Sequence, residues 1–353
     1  MSEQTQRRTR PAGQVEVRLT GTVDLDDYHK IKAREDTEDW VFLCEELADR
    51  DFEYAEEQFA QGRKGTARYF FSAALGLYML SQYGLTDLTE EKLRLYKRMT
   101  DCAERFAELG PNKFEPVQIP YKDFNMDGWL ITPRNMVPNQ PIVLIIPGAT
   151  AFKDSFIRGM DGWLMGGFAV LLMDGPGQGT TRFFNNGCLE VETEKAHAKM
   201  IDFIEADGRF GKIAIYGGST GGYYVARTAA VDKRIAACAI NGGSFTPAEI
   251  LEYSMDYRHK FAVLSGVTDE QMDGIFPQMT LDGLAEQIEC PLLVLHGGAD
   301  PIFKAESAKR IVDEAKSEDK TFIAYPGAWH CCAGEGTRAA RFTLDWLGEH
   351  LKA

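Results

Sequence analysis

The sequence predicts an α/β protein: a mostly parallel sheet wound on both faces by helices, preceded by a separate helical region. Three observations carry this reading. Helical periodicity dominates from about residue 35 to 109. From Phe114 onward, short apolar runs alternate with helix-like segments. One of those runs passes through a glycine-flanked serine, Gly217-Gly218-Ser219-Thr220-Gly221, directly into a helical pattern. Alternating strands and helices imply parallel pairing, since each crossover helix returns the chain to the same end of the sheet. The 353 residues, 44% of them apolar, suffice for one large domain and an accessory piece.

Residues 1–33 read as a tail and lead-in. Their basic cluster, Arg7-Arg8-Thr9-Arg10, is expected to be a solvated, disordered end. Residues 34–113 read as an N-terminal helical cap domain. Trp40, Leu43, Leu47, Phe52, Ala55 and Phe59 recur at three- and four-residue steps, Gly65 to Tyr83 forms a second helix, and Leu88 to Leu109 a third. Asp87 or Thr89 is the N-cap of the third, and Gly110-Pro111 stops it. These aromatic stripes have core spacing. Residues 114–353 form the α/β domain. Its strands are expected at Pro116–Pro120, Met126–Thr132, Ile142–Ile146, Phe168–Met173, Lys212–Tyr216, Ile235–Ile240, Leu292–Leu295 and Thr321–Tyr325. Helices are expected at Asp154–Met165, Val191–Glu205, Lys304–Ala315 and Thr337–His350. The alternation stops over about 244–286, an insertion after the sixth strand.

Composition narrows the function. With 53 acidic against 39 basic residues the net charge is −14, so a phosphate backbone is repelled and nucleic acid is not an expected partner. No run of about 18 apolar residues exists to span a membrane, and the first 20 residues lack the apolar core of a signal peptide. Seven scattered cysteines without a Cys-x-x-Cys fit reduced thiols and a cytoplasmic protein.

The chemistry concentrates at Ser219. A Gly-x-Ser-x-Gly at a strand-to-helix turn is the nucleophile elbow of α/β-hydrolases, where a strained serine backbone lifts the hydroxyl clear of the sheet. A serine hydroxyl is a weak nucleophile and needs a base, which in turn needs an orienting acid. In this fold the order is Ser, then Asp or Glu, then His. Of six histidines, His330 alone lies between the last strand and the terminal helix. His29 precedes the sheet, His197 lies on a helix before the serine, His259 is in the insertion, His296 ends a strand in a structural role, and His350 on the terminal helix is expected to be solvated. The acid is Asp300, in the glycine-rich turn after Leu292–Leu295; Asp174 and Glu249 are lesser candidates. Ala149, in Pro147-Gly148-Ala149-Thr150, and Thr220 are the expected oxyanion-hole N–H donors. Phe152 and Tyr253 are expected to contact substrate, and the 244–286 insertion is expected to act as a lid.

Two other chemistries are set aside. Asp174-Gly175-Pro176-Gly177-Gln178-Gly179 looks like a dinucleotide loop, but Thr180 stands where the third glycine belongs, and no ribose-binding acid follows. It reads as a glycine-rich structural loop. No metal-ligand spacing appears, so no cofactor or metal is expected. Cys331 and Cys332 read as packed beside the base.

Gly65-Thr66-Ala67-Arg68, Val117-Gln118-Ile119-Pro120-Tyr121, Lys153-Asp154, the Asp174–Gly179 loop and Trp329-His330-Cys331-Cys332 together resemble the FrsA-like branch of the α/β-hydrolases. The resemblance covers the chain from about residue 35. It implies a helical cap over the active site, a Ser–Asp–His triad, hydrolysis of a carbon–carbon bond beside a ketone, a substrate contact at Glu249, and a homodimer. Thr150 departs from relatives that carry an acidic residue there. The expectation is therefore a cofactor-free serine hydrolase acting on a bulky, partly aromatic small molecule. A carboxylesterase or thioesterase on the same residues, and a ligand-binding protein without turnover, are the alternatives.

Overall fold

The computed structural model describes residues 7–11 and 23–351. Two compact units emerge. One takes in the chain up to Pro111 together with Asp154–Arg158; the other takes in Asn112–Lys153 and Gly159–Ala353.

In the first unit, α1 (Leu25–Arg34), α2 (Trp40–Ala60), α3 (Lys64–Tyr83) and α4 (Glu90–Glu108) are the main elements. Each long helix starts where its sequence supplies a cap. Asp39 accepts from the N–H groups of Val41 and Phe42, and Thr89, not Asp87, accepts from that of Lys92. Helix α3 packs against both α2 and α4. It is buried almost throughout its second half, which explains its Ala-rich, aromatic composition. Ala55 and Ala67 permit close approach, and Phe52, Phe59 and Phe70 pack around them with Phe71. A fully buried side chain of that size contributes roughly 1.5–3 kcal/mol. The Lys92 ammonium is also buried, and it donates to the carbonyls of Gln82 and Leu85 and to Gln82 Oε1.

The expected disordered basic end is corrected here. Arg8 pairs with Asp39 at 3.0 Å and Glu91 at 2.8 Å, its carbonyl accepts from Trp40 N–H, and its guanidinium lies 4.9 Å over the Phe42 ring. Asp39 thus serves as helix cap and ion-pair partner together. The lead-in before residue 34 also contains α1, capped by Asp24. The remainder of the tail, 1–6 and 12–22, lies outside the described residues.

In the second unit, β1 (Lys113–Tyr121), β2 (Phe124–Thr132), β3 (Gln140–Ile146), β4 (Ala169–Asp174), β5 (Phe210–Gly218), β6 (Ile235–Asn241), β7 (Leu292–Gly297) and β8 (Lys320–Tyr325) form a sheet in the order β1-β2-β4-β3-β5-β6-β7-β8. The β1–β2 and β2–β4 pairs are antiparallel and the rest parallel. Every residue of β4 is buried, as expected for a strand covered on both faces. The strand order turns at β3: the chain leaves it for β4 on one side, then enters β5 on the other. Loops diverging from the carboxyl ends of β3 and β5 leave a crevice, the usual ligand site of such sheets.

The helices of this unit are α5 (Met160–Met165), α6 (Gly179–Phe183), α7 (Glu194–Asp207), α8 (Thr220–Val231), α9 (Ile250–Tyr253), α10 (Asp256–Ser265), α11 (Asp269–Ile275), α12 (Ala305–Glu314) and α13 (Gly336–Leu351). The single helix expected over Asp154–Met165 is broken into a turn at Lys153–Phe156, a 3₁₀ turn at Ile157–Gly159, and α5. Gly159, a weak helix former, sits at the joint. His350 is not solvated as expected: it bonds the Trp346 carbonyl at 2.7 Å and Asp319 at 2.8 Å, and stacks on Trp346. A buried, bidentate Arg227–Glu194 pair ties α8 to α7.

Glycine spacing at the end of β5 follows from space. A Cβ on Gly217 would lie 2.2 Å from the Gly221 carbonyl oxygen, and one on Gly221 would lie 2.6 Å from that of Ile146. Gly65, near the start of α3, has nothing within 4 Å of such a Cβ. Gly217→Ala is therefore expected to lower stability by about 1–3 kcal/mol or more, while Gly65→Ala raises it by about 0.4–1 kcal/mol. Thermal melting of the two variants beside wild type checks both signs.

Candidate active site

Strand β5 ends at Gly218 and α8 begins at Thr220, so Ser219 alone makes the turn. Its φ of 57° and ψ of −134° lie outside the regions open to ordinary side chains. Such a conformation costs on the order of 1–3 kcal/mol and persists only where neighbours impose it. Here the Ser219 N–H donates to the Asn241 carbonyl of β6 at 2.9 Å, and its carbonyl accepts from Gly222 N–H at 2.8 Å.

Residues 111 positions apart meet at this turn. Ser219 Oγ and His330 Nε2 are 2.8 Å apart, and His330 Nδ1 and Asp300 Oδ2 are 2.8 Å apart. The carboxylate needs a donor, so Nδ1 carries the proton and Nε2 is left to accept from the serine hydroxyl. The Asp300 side chain is fully buried and that of His330 nearly so. Asp300 is held from behind: Oδ1 accepts from the N–H groups of Ile302 at 2.8 Å and Phe303 at 3.2 Å. Phe303 also meets the His330 ring edge-on at 5.6 Å. Burial disfavours a charged His330 ring. The Cys331 sulfur and the Asp300 carboxylate beside it outweigh that effect, and the net shift is upward from the ordinary imidazole value.

The remaining histidines of this unit are committed elsewhere. His197 is buried, bonds Thr228 Oγ1 at 2.7 Å, and is pushed down by burial to about 3, so it stays neutral. His259 faces Asp269 at 2.9 Å. His296 donates from Nε2 to the Phe303 carbonyl at 3.0 Å and sits 3.5 Å from Asp300 Oδ2; burial lowers its pKa. It backs Asp300 rather than Ser219.

Ala149 lies in the loop after β3, 4% exposed, and Thr220 opens α8, 1% exposed. As the first residue of its helix, Thr220 has an N–H with no carbonyl one turn earlier to occupy it. The β3 loop abuts the serine: a Cβ on Gly148 would lie 3.0 Å from Ser219 Cβ. Of the expected substrate contacts, Phe152 is buried and packs edge-on against Phe183 at 5.1 Å. Tyr253 on α9 neighbours Tyr257 at 6.4 Å. Glu249 is half-buried and accepts from Ser307 Oγ of α12; burial raises its carboxyl pKa against that bond. Asp174, the lesser candidate acid, accepts from the N–H groups of Lys153 and Thr180 and braces the loop after β4.

Three participants escaped the sequence reading. Asn241 holds the histidine loop reciprocally: its Nδ2 donates to the Cys331 carbonyl at 3.2 Å, and its carbonyl accepts from Cys331 Sγ at 3.5 Å. His296 buttresses Asp300, and Gln178 bonds the β3 loop. Gln178 left a trace as the one large side chain in a run of glycines, and the structural role expected of His296 holds, though not its place beside Asp300.

A sequence profile described as the alpha/beta hydrolase fold matches residues 141–282, and one described as serine aminopeptidase, S33, matches residues 275–337. The alpha/beta hydrolase xenA of Xenoacremonium sinensis is 30% identical over 219 residues, covering 58% of this chain and 51% of that protein. This chain thus spans about half the length of that fungal relative. The 2,6-dihydropseudooxynicotine hydrolase of Paenarthrobacter nicotinovorans is 23% identical over 320 residues, covering 89% of this chain and 85% of that one. The crystal structure of 2,6-dihydroxy-pseudo-oxynicotine hydrolase superposes with a TM-score of 0.86 at 22% identity, over 96% of each chain. With its eight-stranded sheet, the serine turn after β5 and these likenesses, the chain has the α/β-hydrolase fold.

Proposed function

We propose that this protein is a cofactor-free serine hydrolase that cleaves a carbon–carbon bond next to a ketone in a bulky, partly aromatic small molecule. The observation that carries the proposal is the unbroken hydrogen-bond chain from Ser219 Oγ through His330 to Asp300, each link 2.8 Å long.

In this reading His330 Nε2 takes the Ser219 proton as Oγ attacks the carbonyl carbon. Asp300 keeps the ring in the productive tautomer and stabilises the imidazolium that forms. The oxyanion is received by the N–H groups of Ala149 and Thr220. Collapse of the tetrahedral species breaks the bond to the adjacent carbon, whose electron pair is delocalised into a second carbonyl as an enolate. His330 then returns its proton to that carbon. Water, deprotonated by the same ring, attacks the acyl-serine, releases a carboxylic acid and restores the hydroxyl. The named activity of the Paenarthrobacter relative and the likeness to the FrsA-like branch favour a carbon leaving group over an alcohol or thiol. Glu249, with one carboxylate oxygen buried and lacking a partner among the described residues, is a substrate contact on this reading. Among those residues no helix is long and apolar enough to cross a membrane. The scattered free thiols suit a cytoplasmic setting.

A fluorophosphonate probe should label wild type and fail to label Ser219→Ala. A folded wild type that stays unlabelled would favour a ligand-binding role. Product analysis by mass spectrometry on β-diketones beside aryl esters should give cleavage of the diketones; turnover of the esters alone would replace the carbon–carbon reading with an esterase.

The rate requires neutral His330, whose pKa is raised above the ordinary value, so kcat/KM should fall as pH drops through a limb lying above about 6.5. Removing the carboxylate charge in Asp300→Asn takes away one raising influence. That variant should lose about 10⁴-fold in kcat, and its acid limb should move to lower pH. An unmoved limb with a near-normal rate would assign the acid elsewhere. Glu249→Gln should raise KM for the diketone while leaving probe labelling within about threefold; equal losses in both assays would remove it from the substrate's surroundings.

A further inference from the structure

Gln178 lies in the turn between β4 and α6, and its side chain is 2% exposed. The Gly175 N–H donates to its Oε1 at 2.8 Å. A backbone N–H can only donate, so this bond fixes which end of the amide is oxygen and turns the NH₂ the other way. There Nε2 donates to two carbonyls of the β3 loop, Pro147 at 2.6 Å and Gly148 at 3.2 Å. The Gly148 carbonyl belongs to the same peptide group as the Ala149 N–H. Among the described residues no peptide bond is cis. In a planar trans peptide the C=O and N–H point in opposite directions, so whatever holds the carbonyl aims the N–H. Ala151 N–H reaches the same oxygen at 3.3 Å, and a Cβ on Gly148 would lie 3.5 Å from Ser219 Oγ. One buried amide therefore grips a peptide that runs past the serine.

We propose that Gln178 is a positioning residue, which aims the Ala149 N–H at the carbonyl oxygen of a substrate bound at Ser219 and strengthens it as a donor. This rests on the serine-hydrolase reading above. A hydrogen bond accepted by an amide carbonyl polarises the N–H of the same amide, an effect larger in a buried site than in water. An aimed donor matters most when negative charge has developed on the oxygen, so the contribution falls on the transition state rather than on substrate binding. Two carbonyls gripped at once also resist rotation of the Gly148–Ala149 peptide, which glycine would otherwise permit.

The test compares Gln178→Met and Gln178→Glu with wild type, using p-nitrophenyl acetate turnover and the rate of inactivation by a fluorophosphonate, whose phosphoryl oxygen occupies the oxyanion position. Both variants should lose about 10²-fold in kcat and in inactivation rate, with KM within about threefold. In Gln178→Glu the rate relative to wild type should recover as pH is lowered, because a protonated carboxyl regains a donor while its other oxygen still accepts from Gly175. A packing role alone predicts a lower melting temperature with unchanged kcat. Wild-type kcat in the folded variants, a change confined to KM, or a Glu/wild-type ratio that is flat with pH would each overturn the proposal. A second measurement needs no variant: on phosphonylation of wild type, the Ala149 amide resonance in a ¹⁵N-labelled sample should move downfield, and an unmoved resonance overturns the assignment. Failure of wild type to react with the probe at all would instead sink the serine-hydrolase reading itself.

Discussion

The backbone of Ser219 is the constraint around which this unit is organised. A side chain held at positive φ needs room on both sides and a reason not to relax. The room comes from Gly217 and Gly221, whose positions admit no Cβ without displacing main-chain oxygens. The reason comes from neighbouring strands: β6 takes the serine N–H, and α8 takes its carbonyl. Strand order places the β3 loop at the same crevice, because the chain departs from β3 and β5 in opposite directions. Strain, glycine spacing and topology thus describe one arrangement at three scales.

Charge is handled by backbone and imidazole together. Asp300 is completely enclosed, yet both its oxygens are occupied: one by two N–H groups of its own turn, the other by His330 with His296 nearby. A buried carboxylate tolerates enclosure only with such partners. His330 is held by a loop whose next two residues, Cys331 and Cys332, both have positive φ. Asn241 bonds that loop through main chain and side chain alike, and the same residue's carbonyl holds the serine N–H. It therefore couples Ser219 and the His330 loop through the end of one strand.

What could be read from the sequence was local in origin. Strand β4 announces itself by a run of apolar residues, and the serine turn by glycines at a fixed offset. His330 followed from chain order and from a shortage of histidines. The features that escaped depend on partners far along the chain. Arg8 meets Asp39 and Glu91, 31 and 83 positions away, so its cluster looked like a loose end. His350 meets Asp319 across 31 positions. Gln178 bonds residues 30 and 31 positions earlier, and nothing in the spacing of its glycine-rich turn points to them. The break at Gly159 is a different failure: a helical pattern continues through it, but backbone preference does not.

One further contact has a bearing on how such a protein diversifies. A Cβ on Gly297, at the end of β7, would lie 2.0 Å from the Trp329 carbonyl oxygen and 2.5 Å from that of Ala328. Main chain touches main chain there, so the segment bearing the imidazole is carried by the strand that leads to the carboxylate. Their separation is set by peptide groups and is insensitive to side-chain drift. Substitutions on surfaces that do not support this junction therefore leave the spacing of imidazole and carboxylate intact.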